Sequence, residues 1–204
     1  MHCMSTLSSY NKKFRYCIVV DLDYTLVDVD TTVTLALMAC TKVRRFLLNV
    51  LSMTVLWFIV PILNRVLAKD VYKVMLLNMC IRCDKDSLNN IANKAYHKAL
   101  KHLNVSLMKI LSRVNALRVL LTASVDIIAK RFTALGFDIV ISSVTGCKDG
   151  KMWLILDLYR KKHKILKILL EYCNKIIVVE DSPERQYYTL NNVKVLKVSY
   201  HVKK

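Results

Sequence analysis

The feature that most constrains this chain is a recurring short apolar run, rich in β-branched residues, that stops abruptly at polar or acidic residues. Tyr16-Cys17-Ile18-Val19-Val20 ends at Asp21. Comparable runs follow at Leu117–Leu121, Ile139–Ile141, Ile176–Val179 and Val193–Val198. Continuous apolar runs of this length suit parallel strands buried on both faces. Helical patterns lie between them, over Ser124–Leu135 before Gly136 and over Lys162–Cys173, where Ile165, Leu166, Leu169 and Leu170 share one face. Strands alternating with helices predict an α/β fold, a doubly wound, Rossmann-like parallel sheet with right-handed crossovers. Ligands of such sheets bind at the carboxyl ends of the strands, where Asp21, Thr122 and Asp181 fall. The hydrophobic share of 54% excludes a disordered chain, and 3 Gly and 2 Pro leave little for long loops.

The sequence divides into residues 14–29 and 113–204, expected to form the core, and residues 30–112, an almost wholly helical insertion expected to sit over the strand ends as a cap. Asp149-Gly150-Lys151 reads as a hairpin turn between short strands. Within the cap, Phe46 to Leu63 carries no formal charge and is flanked by Arg44-Arg45 and Arg65. A single membrane crossing there would separate Asp21 from Thr122, which must share one core. The segment is therefore a helix buried against the core or an interfacial surface that dips into a bilayer. Cys80-Ile81-Arg82-Cys83, His97 and His102 echo a zinc-site spacing. However, Asp86–Leu103 reads as one amphipathic helix, on which those histidines stand about 140° apart, and ordinary helix residues are the better reading.

The acids carry the chemistry. Asp21 and Asp23, two residues apart beyond a buried strand, need neutralising, and a hard divalent cation such as magnesium does this. Asp23 can then act as general acid and base. Leu120-Leu121-Thr122-Ala123-Ser124 ends a second strand with hydroxyls that can donate to a phosphoryl oxygen at a helix start, although Ser124 could equally be a helix N-cap. Val178-Val179-Glu180-Asp181-Ser182-Pro183 ends a third strand in two further acids able to complete a magnesium shell. Lys161 and Lys162 open the preceding helix. Lys162 is preferred as the site lysine because apolar residues follow it at helical spacing, which lets the helix pack while this side chain enters the site.

This ordered set resembles the haloacid dehalogenase superfamily of phosphatases, nearly from end to end. The resemblance implies that Asp21 forms an aspartyl-phosphate and Asp23 is the acid/base, that Thr122 binds and Lys162 stabilises the phosphoryl group, and that Asp181, with Glu180 beside it, binds magnesium with Asp21 and Asp23. Ser124 and Lys161 would assist substrate binding. An insertion after the first motif is similar to the subgroup of phosphoserine phosphatase and phosphatidylglycerophosphatase, in which Asp30 matches an acid that shapes the substrate pocket. Three departures stand out: Tyr24 where a small residue is common, Glu180 where Gly is common, and Arg185 where a further Asp is expected. Val71–Leu77 also lacks the arginine that binds the substrate carboxylate in phosphoserine phosphatases.

The net charge of +17, from 32 basic and 15 acidic residues, attracts anions but does not choose among them. The expected partner is a phosphorylated small molecule or lipid, with an anionic membrane surface as a second candidate. The basic residues are scattered, so nucleic acid is disfavoured. No secretory leader is evident in residues 1–16, and the seven cysteines form no regular framework. These features predict reduced thiols in a cytoplasmic protein, peripheral on the cytosolic face if the apolar segment binds membrane.

Overall fold

A computed structural model describes residues 14–41, 60, 62–64 and 70–199. Its elements are β1 (Phe14–Val20), α1 (Thr31–Ala39), α2 (Val71–Cys80), α3 (Lys85–Leu100), α4 (Val105–Leu111), β2 (Leu117–Val125), α5 (Asp126–Ala129), a 3-10 helix (Lys130–Leu135), β3 (Ile139–Lys148), β4 (Lys151–Leu156), α6 (Lys162–Tyr172), β5 (Cys173–Glu180), a second 3-10 helix (Arg185–Thr189) and β6 (Val193–Lys197). They form an α/β structure around one six-stranded sheet of order β4-β3-β2-β1-β5-β6. All neighbours run parallel except β3 and β4. The strand-and-helix alternation read from the sequence is thus the observed architecture.

Period-two alternation feeds two cores. Ile18, Val20 and Leu120 face one apolar cluster, which also takes Leu35 of α1, Leu76 and Leu77 of α2, and Ala92, Ala95 and Ala99 of α3. Cys17, Val19, Val119 and Leu121 face the other, closed by Leu166 and Leu169 of α6. The helices inserted between β1 and β2 therefore share a core with one face of the sheet. Register places Val20 opposite both Leu120 and Val179, so the carboxyl ends of β1, β2 and β5 lie at one level.

The Asp149-Gly150 turn joins β3 to β4 with both residues at positive φ, 51° and 68°, as a tight two-residue hairpin requires. The helix expected over Ser124–Leu135 is corrected. Here β2 continues through Val125, which pairs with Ser143 of β3, and α5 begins only at Asp126. The extension is held by side chains: Thr32 Oγ1 accepts the Val125 N–H at 3.3 Å, and Ser124 bonds Thr31 and Thr32. Ser124 is consequently no helix cap.

The expectation of reduced thiols is also overturned. Disulfides join Cys17 to Cys173, Cys40 to Cys80 and Cys83 to Cys147. The paired residues lie 156, 40 and 64 positions apart, so sequence spacing could not reveal them. Strand adjacency brings Cys17 of β1 beside Cys173 of β5, and the β3–β4 hairpin brings Cys147 beside Cys83. These bonds also dispose of the zinc alternative, because Cys80 and Cys83 are engaged elsewhere.

Among the described residues no helix is long and apolar enough to cross a membrane. The Phe46–Leu63 segment lies outside the described residues apart from Val60, Ile62 and Leu63.

Candidate active site

The β1 strand stops where its next residue becomes charged, and Asp21 caps its end. Its N–H still donates to Val179 O at 3.0 Å, continuing the β5 ladder by one step. Asp21 Oδ1 accepts from the Leu22 N–H at 2.8 Å and pairs with Lys162 Nζ at 2.8 Å. No described residue donates a hydrogen bond to Oδ2.

Lys162 begins α6 and is only 6% exposed. Its Nζ also contacts Glu180 Oε1 at 2.7 Å, so one buried cation bridges two carboxylates. Burial alone would lower its pKa, but the charges of Asp21 and Glu180 push it up, fixing the ammonium form. Lys161, the residue before the helix, is half-buried and spends its N–H on Leu158 O. Of the two lysines, Lys162 is therefore the one brought to Asp21. Glu180, expected beside Asp181 on the metal, instead commits its carboxylate to Lys162.

Asp23 lines the same cavity as Asp21. Its Oδ1 accepts the Thr31 N–H at 2.8 Å, and its Oδ2 accepts a hydrogen bond from Ser124 Oγ. Burial first, then the charges of Asp30 and Asp21, raise its pKa to about 7 against the pull of those two donors. Asp30 N-caps α1 through the Val33 N–H at 2.8 Å and faces the same cavity. Thr25, fully buried, ties the loop after β1 to the end of β5: its Oγ1 accepts the Asp181 N–H at 2.9 Å. Burial and the charge of Asp21 raise the Asp181 carboxyl above its ordinary range.

Thr122, expected to hold a phosphoryl group, is buried, with its Oγ1 accepting the Ser124 N–H at 3.0 Å. Ala123 and Ser124, not Thr122, line the cavity at this strand end. The cavity itself is about 210 Å³. Its walls bring Asp21, Asp23, Asp30, Ser124, Glu180 and Asp181 together with Asp70, Tyr72 and Lys73 of the insertion.

Sequence reading passed over Lys73. Its Nζ donates to Asp157 Oδ1 and to Ala123 O, both at 2.8 Å. The signal was nevertheless present in the sequence. Lys73, Leu76, Leu77 and Cys80 follow helical spacing, and all four are buried. Tyr24 sits at φ 56°, a left-handed conformation that glycine enters more readily than a residue with a side chain.

Residues 18–175 match the family model for the haloacid dehalogenase-like hydrolases. The chain belongs to this family. Several solved structures share its fold. A Bordetella pertussis Tohama I protein of unknown function superposes with a TM-score of 0.59 at 16% identity, covering 83% of both chains. Cytosolic 5'-nucleotidase IIIB bound to cytidine gives 0.56 at 15%, covering 91% of this chain and 72% of that one. An apo phosphoserine phosphatase gives 0.51 at 18%, covering 84% and 78%. Among curated proteins, none matches the sequence. For this haloacid dehalogenase-like hydrolase, Asp21, Ser124 and Asp181, far apart in the chain, line one cavity, and Lys162 joins them through its ion pair with Asp21.

Proposed function

We propose that this hydrolase cleaves phosphomonoesters through a phosphoryl group carried transiently on Asp21. One observation carries the reading: Asp21 has one oxygen fixed by Leu22 and Lys162 and the other left without a donor at the cavity wall. In this scheme Oδ2 attacks phosphorus, an Asp21–phosphate bond forms, and the ester P–O bond breaks. Asp23 gives its proton to the leaving oxygen. Asp23 then takes a proton from a water that attacks phosphorus, which releases phosphate and restores the Asp21 carboxylate. Lys162 keeps its charge beside Asp21 throughout and offsets the negative charge that gathers there.

Among the described residues no three His, Cys, Asp or Glu side chains converge on a metal by themselves. Two carboxylates, Asp21 and Asp181, nevertheless face one cavity, and each adds to the local negative charge. That donor set fits magnesium, which takes one or two carboxylates together with water and substrate oxygens. We assign Asp21, Asp181 and the Asp23 main-chain carbonyl to it. When bound, magnesium would neutralise charge between nucleophile and phosphoryl group.

Most residues lining the cavity are polar or charged, which supports a small hydrophilic phosphomonoester over an acyl-chain lipid. Asp21→Asn tests the proposal. Turnover of p-nitrophenyl phosphate should fall at least ~1,000-fold with the circular dichroism spectrum unchanged. Turnover within about tenfold of the parent would refute the mechanism.

A further inference from the structure

Beside the Asp21 cavity lies a wider groove of about 860 Å³, and both have Ala123, Glu180 and Ser182 in their walls. Lys162, which touches Asp21, lines the groove as well. The acids of this groove are already committed. Glu180 is paired with Lys162, and Glu184 accepts from His163 Nδ1 at 2.8 Å and from the Lys162 N–H at 3.2 Å. The arginines are not. Arg160 and Arg185 are exposed, and among the described residues neither forms an ion pair or a hydrogen bond. Two arginines without an acid partner among the described residues therefore line a groove that adjoins the nucleophile.

Arg160 adopts φ 54°, a left-handed conformation that glycine enters more readily than any side-chain-bearing residue. Its guanidinium lies 5.2 Å from the centre of the Tyr159 ring, which limits where the charge can go. A strained backbone that keeps an arginine at a groove is the pattern expected when its side chain is used.

We infer that this groove receives the leaving group of the substrate and that Arg160 and Arg185 grip a second phosphate on it. The inference rests on the Asp21 reading, which places the reacting phosphoryl group next door. Planar guanidinium forks match phosphate oxygens two at a time, and a dianion answers two cations where a carboxylate answers one. The groove volume falls in the range of small-molecule sites. The substrate class is a bisphosphorylated small molecule, with one phosphate cleaved and the other held.

Two measurements separate this inference from the reading beneath it. Equilibrium binding in a chelator, where turnover is off, compares a nucleoside 3′,5′-bisphosphate with its 5′-monophosphate. The bisphosphate should bind at least about tenfold more tightly to the parent protein. Arg160→Gly and Arg185→Gln should each remove about fivefold of that preference, and the double variant all of it. Arg160→Gly relieves the positive φ and Arg185 is exposed, so thermal unfolding should be unchanged and loss of folding will not imitate the effect. Equal binding of the two ligands, or a preference that survives in the double variant, overturns the groove assignment. Hydrolysis of p-nitrophenyl phosphate by the parent protein tests the nucleophile separately. A preference without hydrolysis would leave the groove standing as a phosphate site and sink the catalytic reading.

Discussion

Lys162 is one buried cation between two acids, and its removal would leave Asp21 and Glu180 facing each other. Lys162→Met should lower unfolding stability by about 3 kcal/mol, as breaking a buried ion pair does, and reduce turnover about 100-fold or more. Urea unfolding and initial rates check both. An effect on rate alone would mean that the two carboxylates tolerate each other without the cation. At this scale the sequence was informative where a side chain's role follows from its neighbours in the chain. Asp21 follows a buried strand directly, and Lys162 heads a face of Ile165, Leu166 and Leu169. It was uninformative where the role depends on what folds opposite. Nothing near Glu180 in the chain says that Lys162 will claim its carboxylate, and nothing near Thr122 says that Ser124 will face the cavity instead.

Between elements, the clearest fastening is Asp157, just past β4, which binds two groups of α2. Its Oδ2 accepts the Asp70 N–H at 3.0 Å and its Oδ1 pairs with Lys73. Both side chains are nearly inaccessible, 7% exposed for Lys73 and 1% for Asp157. Lys73→Met should destabilise by about 3 kcal/mol, and adding Asp157→Leu should restore much of that, since an apolar pair can replace a buried ionic one. Guanidinium titrations of the single and double variants measure this, and a double variant worse than the single would contradict it. The pair also carries a pH signature. Burial tends to raise the Asp157 pKa, but the charge and hydrogen bond of Lys73 outweigh it, and the net position is below 3.8. A depressed carboxylate stabilises the fold above its unfolded value and loses that contribution as pH falls through its folded value. Unfolding free energy followed from about pH 5 to about pH 3 should drop more steeply in the parent than in the Lys73→Met/Asp157→Leu variant. The β3–β4 hairpin was readable from Asp149-Gly150 because its turn chemistry is local. The start of α5 was not, because the hydroxyls of Thr31 and Thr32, from a distant helix, hold Ser124 and Val125 extended.

At the level of the whole molecule, parallel topology explains both what the sequence showed and what it hid. Buried strands announce themselves as apolar runs, so the sheet and its carboxyl-edge site were legible. Pairing of β1 with β5 across most of the chain is not, and Cys17–Cys173 depends on it. Thiol titration in denaturant should gain six groups on reduction, and reduction should lower the melting temperature, because a bond closing so long a loop is worth about 3–5 kcal/mol. Seven free thiols before reduction, every cysteine of the chain, would show that the strands pair without those bonds. The central claim is that Asp21 carries phosphate during turnover. The direct measurement is acid quenching of the enzyme during hydrolysis of a phosphate-labelled substrate, followed by mapping of the label by mass spectrometry. The account predicts a hydroxylamine-labile phosphate on Asp21, present in the parent and missing from Asp21→Asn. Turnover with no acyl-phosphate, or with the label on another residue, would contradict it.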